Sequence, residues 1–114
     1  YQGTSFVDRF DANSYLYITR AMDYFDLTNS YKGNLSQAFK NTKCKFLIVS
    51  FTSDWLFPSS ESQYIVKALN QTASDVSYIE IESDKGHDSF LLEVNDFYDI
   101  LKGFISGAAR KLNI

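Results

Sequence analysis

The chain has one cysteine, one histidine, one proline, one tryptophan and one methionine in 114 residues. The lone Cys44 excludes an internal disulfide, and one Cys with one His cannot close a zinc site by themselves. No apolar run approaches the roughly 18 residues that span a bilayer, and no signal-peptide pattern opens the chain. That argues against a membrane partner and for a cytoplasmic protein. The 11 Lys and Arg are scattered and the net charge is −3, so the footprint expected for binding a phosphate backbone is missing and no nucleic-acid partner is expected. Neither G-x-G-x-x-G nor a phosphate-binding loop is present. G-x-S-x-G is missing too: Gly103-Phe104-Ile105-Ser106-Gly107 has the wrong spacing and falls near the end of a helical pattern, so Ser106 is no nucleophile elbow.

What the chain does have is apolar substance. Residues of apolar type make up 45% and aromatics 17%, enough to build the core of one domain. It begins with Tyr1 rather than Met, close to structured-looking sequence, which reads as a piece of a longer polypeptide.

Tyr15, Ile18, Met22 and Phe25 recur at helical spacing and predict an amphipathic helix over 11–27, with Asp11 or Asn13 as cap. A polar, turn-rich stretch follows from Thr28 to Asn34, and Asn34 is placed to cap a short helix over Leu35 to Lys40. Phe46 to Phe51 is apolar almost throughout, the pattern of an interior parallel strand covered on both faces, with Cys44 as a small residue at its start. Pro58 ends it. Ser59 or Ser60 then caps a helix to about Asn70, Ser60 and Gln63 having capping-box spacing and Ile65, Val66 and Leu69 facing inward. Val76 to Ile81 reads as a second, more polar strand nearer an edge. From Asp88 or Ser89 the positions Phe90, Val94, Phe97, Leu101 and Phe104 predict a final helix. Strand, helix, strand, helix implies a parallel pair joined by a crossover, and two strands require the rest of a sheet from outside this chain.

Asp54 follows the first strand and His87 follows the second. At the exits of neighbouring parallel strands they emerge at one end of the sheet, where open α/β folds place their chemistry. An imidazole needs a carboxylate to hold its tautomer and to stabilise imidazolium, which suits the last two members of a Ser…Asp…His triad in the α/β-hydrolase chain order. Taken singly, His87 also fits a solvated loop residue and Asp54 an ordinary turn. Asp88 fits either the cap of the last helix or a rim carboxylate that binds an ammonium group. Trp55 and Phe57 fit either the lining of a site or, the more frequent use of such aromatics, packing beneath the Asp54 loop, and Glu80, Glu82 and Asp84 a solvated edge.

Three strings are more specific than these patterns. Arg9-Phe10-Asp11-Ala12-Asn13-Ser14-Tyr15-Leu16-Tyr17 with Thr19-Arg20-Ala21-Met22-Asp23, then Ser53-Asp54-Trp55-Leu56-Phe57-Pro58, then Gly86-His87-Asp88-Ser89-Phe90-Leu91, closely resemble the carboxy-terminal part of the homoserine O-acetyltransferase family. The resemblance implies an α/β-hydrolase fold, of which this chain would be a carboxy-terminal fragment with two parallel strands. Residues 1–42 would be the end of a helical lid and 43–114 the close of the core. It further implies acetyl transfer from acetyl-CoA to the hydroxyl of L-homoserine in methionine biosynthesis, by a homodimer with no bound cofactor or metal. Asp54 and His87 match the family's triad aspartate and histidine, and Asp88 the acid that binds the homoserine amino group. The serine, the oxyanion-hole donors and a substrate-binding arginine would lie upstream. The chain departs from the family at Ser59, where a second proline is common, and at Lys85. Related members use succinyl-CoA or accept serine; a different α/β-hydrolase and a non-catalytic binding or assembly module are the competing readings.

Overall fold

A computed structural model describes residues 3–5, 11–72, 74–92, 94 and 96–113. The chain divides into two units, Tyr1–Gly33 and Asn34–Ile114.

In the first unit, helix α1 spans Ala12–Tyr24. The Asp11 carboxylate caps it by accepting the Ser14 N–H at 2.7 Å, so of the two candidate caps Asp11 serves. The helix stops before the expected 27 because Asp26 accepts from both the backbone N–H and the hydroxyl of Thr28, a local turn that competes with helical bonding. No residue of α1 is buried, and its apolar stripe of Tyr15, Ile18 and Met22 stands exposed.

The second unit opens with α2, Leu35–Phe39, where Asn34 Oδ1 accepts the N–H groups of Ser36 and Gln37 as its spacing predicts. Strand β1 (Lys45–Phe51) then leads through helix α3 (Ser59–Gln71) to strand β2 (Asp75–Ile81). The strands pair in parallel from Lys45↔Asp75 to Phe51↔Ile81, and α3 supplies the crossover that parallel pairing needs. Lys45 and Asp75 form an ion pair at the first register position. Leu35, Ala68 and Leu69 are buried on the α3 side, and Phe51 and Ile81, partners at the last register position, are buried on the other face of the sheet, where Phe51 meets Phe97. Cys44 is exposed just ahead of β1, not buried at its start.

The end of α3 that faces the site is built differently from the capping pattern of its sequence. Pro58 is the N-cap, which a ring without an N–H suits, and no side chain caps the helix. Ser59 Oγ donates instead to the buried Ser50 Oγ at 2.9 Å, and Ser50 is in turn 2.9 Å from the Tyr78 hydroxyl, tying the helix start to both strands.

After β2 the expected long helix divides. Gly86–Leu91 is a turn of 3₁₀ helix, Leu92 is extended, and helix α4 runs only over Phe97–Leu112. The Ser89 hydroxyl donates to the Gly86 carbonyl at 2.7 Å and the Leu92 N–H bonds to Ser89 O, closing the chain at three-residue spacing where an α-helix would bond four apart. Phe90 and Val94 therefore do not belong to the last helix. Asp88 does not cap it, since Asp96, in the left-handed region at φ 69°, precedes α4. The ring of Phe97 packs edge-on against Phe51 at 5.7 Å and holds the start of α4 to the end of β1.

Candidate active site

Both strands stop at the same register pair, so the residues that follow Phe51 and Ile81 leave the sheet side by side. Hydrogen bonds then continue between the two loops beyond the last strand pair. The Thr52 N–H donates to Ile81 O at 3.0 Å, and the Thr52 hydroxyl donates to Ser83 O at 3.1 Å and accepts the Ser83 N–H at 3.0 Å. One residue on, Ser53 Oγ accepts the Gly86 N–H at 2.8 Å. The next residue on each loop is Asp54 or His87, and their side chains meet with Oδ2 3.0 Å from Nδ1.

Asp54 is buried, with 9% of its surface exposed, yet its carboxylate is fully partnered. Oδ1 accepts the N–H groups of Phe57 at 3.0 Å and Leu56 at 3.1 Å, leaving Oδ2 for the imidazole. The Phe57 N–H first, then the His87 hydrogen bond, hold its pKa below the ordinary 3.8, against the opposing pull of burial. The carboxylate is thus ionised across the neutral range. A carboxylate facing Nδ1 fixes the neutral ring with its proton on Nδ1 and its lone pair on Nε2. Among the described residues Nε2 has no hydrogen-bond partner, and the His87 side chain is about one-third exposed (36%). The ring is held between Phe57, at 5.1 Å between centroids, and Phe90, at 5.6 Å. Such a pair can take a proton at Nε2 and hold the resulting cation against Asp54.

Asp88 lies in the same 3₁₀ turn, exposed, with no hydrogen bond or ion pair among the described residues. Trp55 does not pack beneath the loop: it is 86% exposed, and with Leu56 and Phe57 it forms an open apolar rim beside the dyad. The sequence reading also missed Ser53 and Ser83, which bind the two loops together, and Ser89, which braces the second loop from within. Their signal was a hydroxyl residue immediately before Asp54, and two more on either side of Gly86-His87. Among the described residues no group of three or more His, Cys, Asp and Glu side chains is placed to hold a metal, and no helix is long and apolar enough to cross a membrane.

No family model matches the chain. Individual proteins do. The homoserine O-acetyltransferase of Pelagibacter ubique is 65% identical over 111 residues, covering 97% of this chain and 30% of the relative. The enzyme of the same name from Acidiphilium cryptum is 64% identical over 110 residues, 96% of this chain and 29% of the relative. That from Rhodospirillum rubrum is 61% identical over 109 residues, 96% and 28%. The chain belongs to the homoserine O-acetyltransferase family. This family member spans about 30% of the length of the relatives it matches and corresponds to their carboxy-terminal part.

Proposed function

We propose that this chain supplies the acid and the base of an acyltransferase that moves an acetyl group from acetyl-CoA to the hydroxyl of L-homoserine, a step of methionine biosynthesis. The observation that carries the reading is the 3.0 Å contact between Asp54 Oδ2 and His87 Nδ1, which leaves Nε2 open beside the loops. The nucleophilic serine and the oxyanion-hole donors come from sequence outside this chain. In the first half-reaction His87 Nε2 takes the serine proton as the serine oxygen attacks the thioester carbon. The carbon–sulfur bond breaks and the CoA sulfur leaves with that proton. In the second, Nε2 takes the proton of the homoserine hydroxyl, whose oxygen attacks the acetyl-serine, and returns it to the departing serine. Asp54 remains a carboxylate throughout and stabilises the imidazolium of each half-reaction.

Asp88 is assigned to the ammonium group of homoserine: its carboxylate is exposed, unpaired among the described residues, and one residue from the base. In this reading residues 1–42 end a helical lid and 43–114 close an α/β-hydrolase core. The whole protein is a cytoplasmic homodimer that binds no cofactor, assignments that rest on the family resemblance.

The test is a chimera in which the matched 111 residues of the Pelagibacter ubique relative are replaced by this chain. The folded chimera is expected to release CoA from acetyl-CoA beyond one equivalent per site only when homoserine is present, and to lose that turnover with His87→Ala. The 114-residue chain by itself is expected to release none. A folded chimera that is inactive, or one unaffected by His87→Ala, would overturn the assignment.

A further inference from the structure

We infer that Ser53 and Ser89 are positioning residues, which clamp the Gly86 peptide at both of its polar groups and so set where the His87 imidazole meets Asp54. The Gly86 N–H donates to Ser53 Oγ at 2.8 Å, and the Gly86 carbonyl accepts from Ser89 Oγ at 2.7 Å. Ser89 is fully buried and its hydroxyl lies 2.8 Å from Ser83 Oγ, whose own backbone is doubly bonded to Thr52. Ser53 thus ties Gly86 to the Asp54 loop directly, and Ser89 ties it there through Ser83 and Thr52.

Its place in the chain is what gives it a consequence. Ser53 is the covalent neighbour of Asp54 and Gly86 of His87, so the clamped pair lies one residue from the dyad on each loop. Gly86 sits at φ +66°, in the left-handed region, and a hydrogen-bonded peptide there fixes the direction in which the His87 side chain leaves the backbone. The Asp54 carboxylate is already fixed by Leu56 and Phe57, so the two serine bonds to the Gly86 peptide, added to the backbone bonds of the 3₁₀ turn, set the His87 end of the contact. A displacement of His87 by about 1 Å would take the 3.0 Å contact beyond hydrogen-bonding range. The ring would then lose the partner that keeps its proton on Nδ1.

The inference rests on Asp54 and His87 acting as a pair, and the test separates the two claims. Because His87 is the only histidine, ¹⁵N NMR of the 114-residue chain reads its tautomer without assignment ambiguity. In the unaltered chain at a pH where the ring is neutral, the proton is expected on Nδ1. Ser53→Ala and Ser89→Ala are each expected to raise the Nε2–H fraction several-fold, while Ser53→Thr, which keeps the hydroxyl, retains the original ratio. Leu69→Ala, a core change remote from the loops, controls for general loosening and is expected to leave the ratio unchanged. Serine variants that keep the original ratio would overturn the clamp and leave the pairing of Asp54 with His87 standing. A shift as large in Leu69→Ala would also overturn the clamp, by showing that the ratio follows overall stability. An unaltered chain already protonated on Nε2 would overturn the pairing and the clamp together.

Discussion

The Asp54 carboxylate divides its two oxygens between structure and chemistry: Oδ1 receives the Phe57 and Leu56 N–H groups, and Oδ2 lies 3.0 Å from His87 Nδ1. The largest single hold on its ionised form is the Phe57 N–H, followed by the His87 hydrogen bond. The loop Ser53-Asp54-Trp55-Leu56-Phe57-Pro58 thus turns back on its own carboxylate.

That order of causes predicts a titration. Asp54 should titrate below 3.8, and His87→Ala should leave it below that value, because the two backbone donors remain. Since the folded-state value is depressed, the stabilisation is fully present above the ordinary value and is lost as pH falls through the folded one. Carboxyl ¹³C NMR across an acid titration reads both; a return to 3.8 in His87→Ala would show that the histidine alone depresses it.

Asp54→Asn keeps an oxygen for the Leu56 and Phe57 donors but sets an amide against Nδ1 and removes the charge that holds the imidazolium. In the chimera, turnover should fall on the order of 10⁴-fold with the circular dichroism spectrum unchanged. A loss of less than tenfold would show that His87 does not depend on Asp54.

For Asp88, the absence of a capping role makes the charge separable from the fold. Asp88→Asn in the chimera should raise the apparent KM for homoserine and slow the second acyl transfer, with the donor half-reaction spared. Stopped-flow acylation beside a homoserine titration decides it, since equal loss in both halves, or none in either, would remove Asp88 from the acceptor site.

Leu69, near the end of α3 that leads into β2, is fully buried. Leu69→Ala should cost about 2–5 kcal/mol. Urea unfolding of the 114-residue chain measures it, and a cost under about 1 kcal/mol would mean that the core closes around the gap.

Much of this arrangement was legible in the residues. The apolar run over Phe46 to Phe51, the more polar run over Val76 to Ile81 and the inward stripe of Ile65, Val66 and Leu69 place two strands and their crossover, because each is dictated by burial on a known period. Asp54 and His87 were legible for the same reason, each following a strand in a parallel pair. The final helix was not. Phe90 and Val94 share the period of Phe97 and Leu101, but the Ser89 hydroxyl takes the Gly86 carbonyl and the chain turns tightly there instead. Periodicity records which residues are apolar, not which backbone groups a nearby hydroxyl has already engaged. Whether Trp55 and Phe57 pack beneath the loop or line its open side was not legible, because an aromatic string carries no record of whether its cover lies within the chain.

The central claim is that His87, oriented by Asp54, drives acetyl transfer through a serine supplied from outside this chain. Intact-mass spectrometry of the chimera, mixed with acetyl-CoA in the absence of homoserine, tests it most directly. A covalent adduct of one acetyl group should form on a serine, disappear when homoserine is added, and fail to form in His87→Ala. Homoserine-dependent CoA release with no acetylated serine at any time, or an adduct that forms equally well without His87, would contradict the account.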